Sequence, residues 1–209
     1  GSFYDVGDSI PNPGLADTLA TIASAGADDF YRGRIGQRIG NDLEAHDAWV
    51  TGEDLRGFKV REQQPVRISY RGIEVASAPP PVSGVTVLTI LRILEHFDLR
   101  ALGHNTSAYL NVLARAMALA HSDRYRYLCD PFFVKMDLDT LLGDAHAREF
   151  ADEIRNKTPV PHTAPMRDAG TTQISAMDSK GNAISMTHTL GTASGVVTAG
   201  LGFMYNNSM

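Results

Sequence analysis

The chain has 209 residues, 43% of them hydrophobic and 21% charged, which suits a globular protein with enough apolar material for a real core. A net charge of −5 argues against a nucleic-acid backbone as partner. No apolar run approaches the roughly 20 residues that cross a bilayer, so no membrane partner is expected either.

Residues 1 to 155 read mostly as helices. Leu15, Leu19, Ile22 and Ala23 make one apolar stripe at helical spacing, and Tyr31, Ile35, Ile39 and Leu43 make a second. Gly33, Gly36 and Gly40 do not have the spacing of a dinucleotide-binding G-x-G-x-x-G, so they read as small residues on a helix packing face. Thr51-Gly52-Glu53-Asp54 opens a short helix in capping-box style. Val66, Ile68 and Tyr70 alternate, Arg71-Gly72 turns, and Ile73 and Val75 alternate again, which predicts a hairpin. Three prolines, 79 to 81, end it, and a helix follows with Val85, Leu88, Leu91 and Leu94 on one face. Ser83 is not in a G-x-S-x-G elbow and reads as the cap of that helix.

A long helix is expected from about Thr106 to Leu128, with Leu110, Leu113 and Met117 turned inward. Its end, Arg124 to Tyr127, reads as a solvated face, because an acidic protein gives little reason for a nucleic-acid surface. The single cysteine, Cys129, excludes an intrachain disulfide and reads as a small buried side chain rather than a nucleophile. A last helix covers Ala145 to Arg155. The histidines, at 46, 96, 104, 121, 146, 162 and 188, have no metal-ligand spacing, so neither a metal nor another cofactor is expected.

Residues 156 to 170 read as an exposed, extended linker, dotted with Pro159, Pro161 and Pro165 and closed by Gly170. From residue 171 the pattern switches to period-two strands, including one over Gly202 to Met209. Helices followed by strands give an α+β class. Asp178-Ser179-Lys180-Gly181-Asn182 suits a three-residue hairpin loop, with Gly181 at the position that needs positive φ. Pairing Asp178 with Asn182 sets Thr171 directly opposite Thr189, about 5 Å apart at Cβ. A one-residue slip would destroy that match. His188 points to the other face and reads as a packed core histidine.

A threonine with a free α-amino group holds nucleophile and base in one residue, but Thr171 acquires that amine only if the bond from Gly170 is cut. The plainer alternative is an ordinary linker running into an ordinary strand.

The run TTQISAMDSKGNAISMTHTLGTASGVV, residues 171 to 197, resembles the start of the small subunit of the γ-glutamyltranspeptidases, N-terminal-nucleophile hydrolases that cleave their own precursor. Upstream, Ala27 to Gly33 resembles the family's "DAFYxG" segment, and Tyr70-Arg71-Gly72 with Ala78 to Gly84 its "YRG…PPPSSGG" stretch. His121 to Pro131 resembles "ADRxxYLGDP", and Tyr205-Asn206-Asn207-Ser208-Met209 resembles "LLNNxM".

The resemblance implies an αββα sandwich, present here in part. It divides the chain into residues 1–155 (the end of a large-subunit-like region), 156–170 (the linker to the self-cleavage site) and 171–209 (the first strands of a small-subunit-like region). It implies that the chain is a fragment, or one part of a divided molecule, whose partners are the remaining segments of the same precursor. Those segments would hold an arginine for the substrate α-carboxylate and the paired glycines of an oxyanion hole. By the same resemblance Thr171 is the nucleophile, Gly170-Thr171 the cleavage site and Thr189 the residue that orients the nucleophile. A periplasmic or secreted setting is implied, while the residues themselves leave the compartment open, the cytoplasm included.

The implied substrates are small γ-glutamyl amides, with water, an amino acid or a peptide as acceptor. Two positions depart from the pattern. Gly191 stands where the family has Asn or Glu for the glutamyl head group, and Ser208 where it has Gln or Glu. The alternatives are therefore an acylase-type relative acting on another amide, such as a β-lactam side chain or small amido acid, and an inactive fragment or binding module.

Overall fold

The computed structural model describes residues 4–157 and 171–207. Along these residues run α1 (Pro13–Ala25), α2 (Ala27–Tyr31), α3 (Arg34–Ala45), α4 (Gly52–Gly57), β1 (Val66–Tyr70), β2 (Ile73–Ser77), α5 (Gly84–Glu95), α6 (Leu99–Leu102), α7 (Ser107–Tyr127), α8 (Leu138–Leu141), α9 (Asp144–Arg155), β3 (Thr171–Met177) and β4 (Ala183–Thr189). Helices with two separate antiparallel hairpins, β1–β2 and β3–β4, make an α+β chain. It divides into two compact units, one drawn from residues 1–60 and 166–209, the other from 61–165.

In the first unit, α3 supplies the core. Ile35 and Ile39 are buried with Leu201, and Ile22, Phe30, Leu43, Phe203 and Tyr205 pack around them. The Asp29 carboxylate accepts the Arg34 and Ile35 amides, which satisfies donors that the start of α3 leaves open. Gly40 faces α4 so closely that a Cβ there would sit 2.8 Å from the Gly52 Cα, so the glycines serve packing, as their spacing suggests. The capping box at Thr51 and Asp54 is present.

Residues 198–205 dock on these helices instead of forming the strand expected over Gly202 to Met209. Gly200 and Gly202 both take φ +74, and the carbonyls of Leu201 and Gly202 accept from Thr18 Oγ1 (2.9 Å) and Asn12 Nδ2 (2.7 Å). A backbone bent this way and bonded to side chains forms no ladder at Gly200 to Gly202; among the described residues the pairing that remains is the isolated antiparallel bridge of Ala193 with Asn206, beside the Tyr205 N–H bond to Val196 O (3.0 Å). Ser208 and Met209 lie outside the described residues. The docking also corrects the α1 stripe: a turn that presents carbonyls needs a hydroxyl beneath it, so Thr18 is buried while Leu19 and Ala23 face out.

In the second unit, Ile93 and Leu94 of α5, Val112, Ala116, Leu119 and Ala120 of α7, and Phe150 and Ile154 of α9 form one core. The inward face of α7 thus differs from expectation: Leu113 packs against this core, but Leu110 and Met117 are exposed. The buried stripe instead mixes Val112 and Leu119 with the small Ala116 and Ala120, which let the neighbouring helices approach closely. Asp123, on the same face, is buried and bonds His146 Nε2 at 2.5 Å. The β1–β2 hairpin turns through Arg71 and Gly72, both at positive φ (52 and 79), as a two-residue turn between twisted strands requires.

Three further readings change here. Ser83 occupies the N-cap position of α5 but makes no cap bond; its hydroxyl accepts from the Arg124 guanidinium. Arg124 is accordingly half-buried and engaged instead of solvated. Cys129 is only partly buried, because it lies beyond the end of α7 in an irregular stretch.

Candidate active site

The β3–β4 hairpin has the register that its loop dictates. Asp178 N–H donates to Asn182 O (2.9 Å), Gly181 takes φ +83, and the ladder runs from Met177 opposite Ala183 to Thr171 opposite Thr189. The Asp178 carboxylate holds the loop by accepting from the Asn182 side chain (2.7 Å) and from the Lys180 and Asn182 amides (both 2.9 Å). These bonds, the Asn182 side chain first, hold its pKa below the ordinary carboxylate value.

At the start of β3, Thr171 Oγ1 lies 3.1 Å from Thr189 Oγ1. Thr189 Oγ1 also accepts the Gly191 amide proton at 2.9 Å. In the Thr171–Thr189 pair either hydroxyl can be the donor. A hydroxyl aimed at a second hydroxyl can stabilise negative charge as that second oxygen becomes a nucleophile.

The residues expected at the site divide as follows. Thr171 and Thr189 are brought together. Gly191 is next to them, with its backbone amide donating to Thr189 Oγ1. Gly170 and Ser208 lie outside the described residues. His188 points to the opposite face, as alternation requires, but is exposed: all residues of β3 and β4 are, so this hairpin gives it no core.

Sequence reasoning passed over Asn207. Its amide donates to Leu190 O (3.1 Å) and its Oδ1 accepts from Thr192 N–H (2.8 Å), so it brackets the residues that follow Thr189. The Asn206-Asn207 pair was visible as a motif, but nothing local connects it to a segment fifteen residues earlier. Among the described residues no cluster of His, Cys, Asp or Glu could hold a metal, and no helix is long and apolar enough to cross a membrane.

A family model described as gamma-glutamyltranspeptidase matches residues 1–209. The glutathione hydrolase proenzyme of Escherichia coli (strain K12) is 36% identical over 213 residues, covering 97% of this chain and 37% of that protein. The solved γ-glutamyltranspeptidase of Helicobacter pylori superposes with a TM-score of 0.63 at 35% identity, over 72% of this chain and 42% of the other. A cephalosporin acylase from Bacillus halodurans superposes with a TM-score of 0.78 at 30% identity, over 93% of this chain and 35% of that one. The chain therefore spans little more than a third of the length of the E. coli relative.

Proposed function

The chain belongs to the γ-glutamyltranspeptidase family, and from that membership we propose that it contributes the nucleophile of an amide hydrolase or acyl transferase working through a threonine acyl-enzyme. The observation that carries the proposal is the 3.1 Å contact between Thr171 Oγ1 and Thr189 Oγ1, in a register that a slip would abolish.

In the first step the Thr171 hydroxyl adds to the Gly170 carbonyl. The C–N bond breaks, its nitrogen takes the hydroxyl proton, and an ester remains. The shift leaves the Thr171 amine free; water then hydrolyses the ester, releasing the Gly170 carboxylate and restoring the hydroxyl, for which the amine now serves as base. In turnover Thr171 attacks the substrate carbonyl, the leaving amine departs with a proton, and water or an amine acceptor resolves the ester. Thr189 donates to the Thr171 oxygen as negative charge develops. The remaining precursor segments complete an αββα sandwich over the exposed β3–β4 hairpin and supply the other substrate contacts.

The donor is a small amide. γ-Glutamyl amides are the first reading, supported by relatives named glutathione hydrolase. An acylase-type donor without a free α-amine is the second, favoured by Gly191, which offers no side chain to a head group, and by the likeness to a cephalosporin acylase. The test is mass spectrometry of the purified full-length protein after incubation at neutral pH. A piece beginning Thr171-Thr172-Gln173 is expected, and Thr171→Ala should remain whole. An uncut wild-type product would sink the proposal.

A further inference from the structure

The face of the hairpin that bears Thr171 holds a second group of bonds that the proposed reaction leaves unused. Gln173 stands directly opposite Thr187, the next pair on the same face after Thr171–Thr189. Its Oε1 accepts the Thr187 hydroxyl, and its Nε2 donates to Ser185 Oγ at 2.7 Å. Ser185 Oγ in turn meets Ser175 Oγ at 3.1 Å. A single amide side chain on β3 therefore grips two successive same-face residues of β4.

That grip adds to the backbone ladder and to the hydroxyl pairs Thr171–Thr189 and Ser175–Ser185, and among the described residues it is the cross-strand tie that spans two positions of β4. The Thr171–Thr189 contact, at 3.1 Å, lies beyond the usual 2.7–2.8 Å of a hydroxyl pair, so a few tenths of an ångström of shear or twist would break it. Two anchor points along β4 resist both motions, whereas one would leave a pivot.

We propose that Gln173 is a positioning residue for the nucleophile: by bonding Thr187 and Ser185 together it fixes β3 against β4 and keeps the Thr171 hydroxyl on Thr189. This rests on the threonine chemistry proposed above. Misplacement of about 1 Å can cost about a hundredfold in rate, and a loosened hairpin that still samples the right geometry should lose about tenfold.

The experiment uses full-length, processed protein and a covalent acylating probe followed by intact mass. Gln173→Met preserves length and removes both bonds. It should acylate about tenfold more slowly, with KM for an amide donor within twofold of wild type. Gln173→Glu can accept from both hydroxyls and should recover to within about threefold. Its acidic pH–rate limb should also move upward, because a carboxylate on the next same-face pair favours the protonated Thr171 amine that cannot act as base. Should Gln173→Met escape processing, Thr187→Val removes the main bond from the other strand and takes its place. Wild-type acylation in Gln173→Met, or in Thr187→Val as its stand-in, overturns the role of Gln173, as does a Glu variant with no recovery. Thr171→Ala is run in parallel: cleavage or labelling in that variant would instead overturn the threonine chemistry itself.

Discussion

Replacing Thr189 by valine keeps its shape and deletes one hydroxyl, so it isolates what that hydroxyl does. Among the described residues the bonds that disappear are the 3.1 Å contact to Thr171 and the 2.9 Å bond from the Gly191 amide. The second is a neutral bond on an exposed element and should cost about 0.5–1.5 kcal/mol of local stability. The first is long at rest, so it contributes little before reaction. It strengthens as the Thr171 oxygen becomes negative, when a hydrogen bond to charge is worth about 1.5–3 kcal/mol. At 1.36 kcal/mol per decade this predicts a loss of about 10- to 150-fold, falling on kcat and leaving KM for the donor nearly unchanged. Thr189→Ser retains the donor and should stay within about threefold of wild type. Acylation rates of processed full-length protein, followed by intact mass beside thermal unfolding, separate the two costs. A valine variant that acylates at the wild-type rate would refute the assignment of Thr189 to the charge developing on the Thr171 oxygen.

Processed protein should turn over γ-glutamyl-p-nitroanilide weakly compared with simple acyl or glutaryl amides, since each missing charge-assisted bond at Gly191 and Ser208 removes about 1.5–3 kcal/mol; a strong γ-glutamyl preference in kcat/KM would contradict this. Gly40→Ala would set a Cβ 2.8 Å from the Gly52 Cα, and its overpacking should lower stability by about 1–3 kcal/mol in a denaturant titration. Asp178 has a depressed pKa, so its contribution to the hairpin loop is complete at neutral pH and fades as pH falls through that lowered value. Amide exchange at Lys180 and Asn182 should therefore gain relative to the intrinsic rate near pH 3 but not near pH 6, and Asp178→Ala should abolish the difference.

The parts of the chain legible in advance are those whose causes are local. A three-residue loop with glycine at its left-handed position is a closed geometric statement, and it carried the register back to Thr171 and Thr189. The Thr51 capping box and the Arg71-Gly72 turn are of the same kind. What escaped depends on partners distant in sequence. The inward face of α7 mixes Ala116 and Ala120 with Val112 and Leu119 where α5 and α9 come close, and Leu110 and Met117 gave the wrong direction. Ser83 looked like a cap until Arg124, far along the chain, took its hydroxyl. The strand expected near the end was lost to hydrogen bonds from α1, over 180 residues away. The bond from the Gly191 amide to Thr189 also escaped, because a sequence shows that glycine has no side chain but not where its N–H points.

The docking of residues 198–205 bears on what a cut at Gly170-Thr171 would leave behind. Leu201 is buried against Ile35 and Ile39, Thr18 and Asn12 hold the carbonyls beside it, and the Thr198 hydroxyl donates to Asp42 at 2.6 Å. None of these contacts involves the severed bond. Hydrolysis would thus convert a tether into a clasp: the two pieces keep their shared interior but exchange a fixed effective concentration for one that depends on dilution. A polypeptide built this way can expose a fresh amino terminus without surrendering the fragment that bears it, and its cleaved form should come apart only when α1 and α3 release that turn.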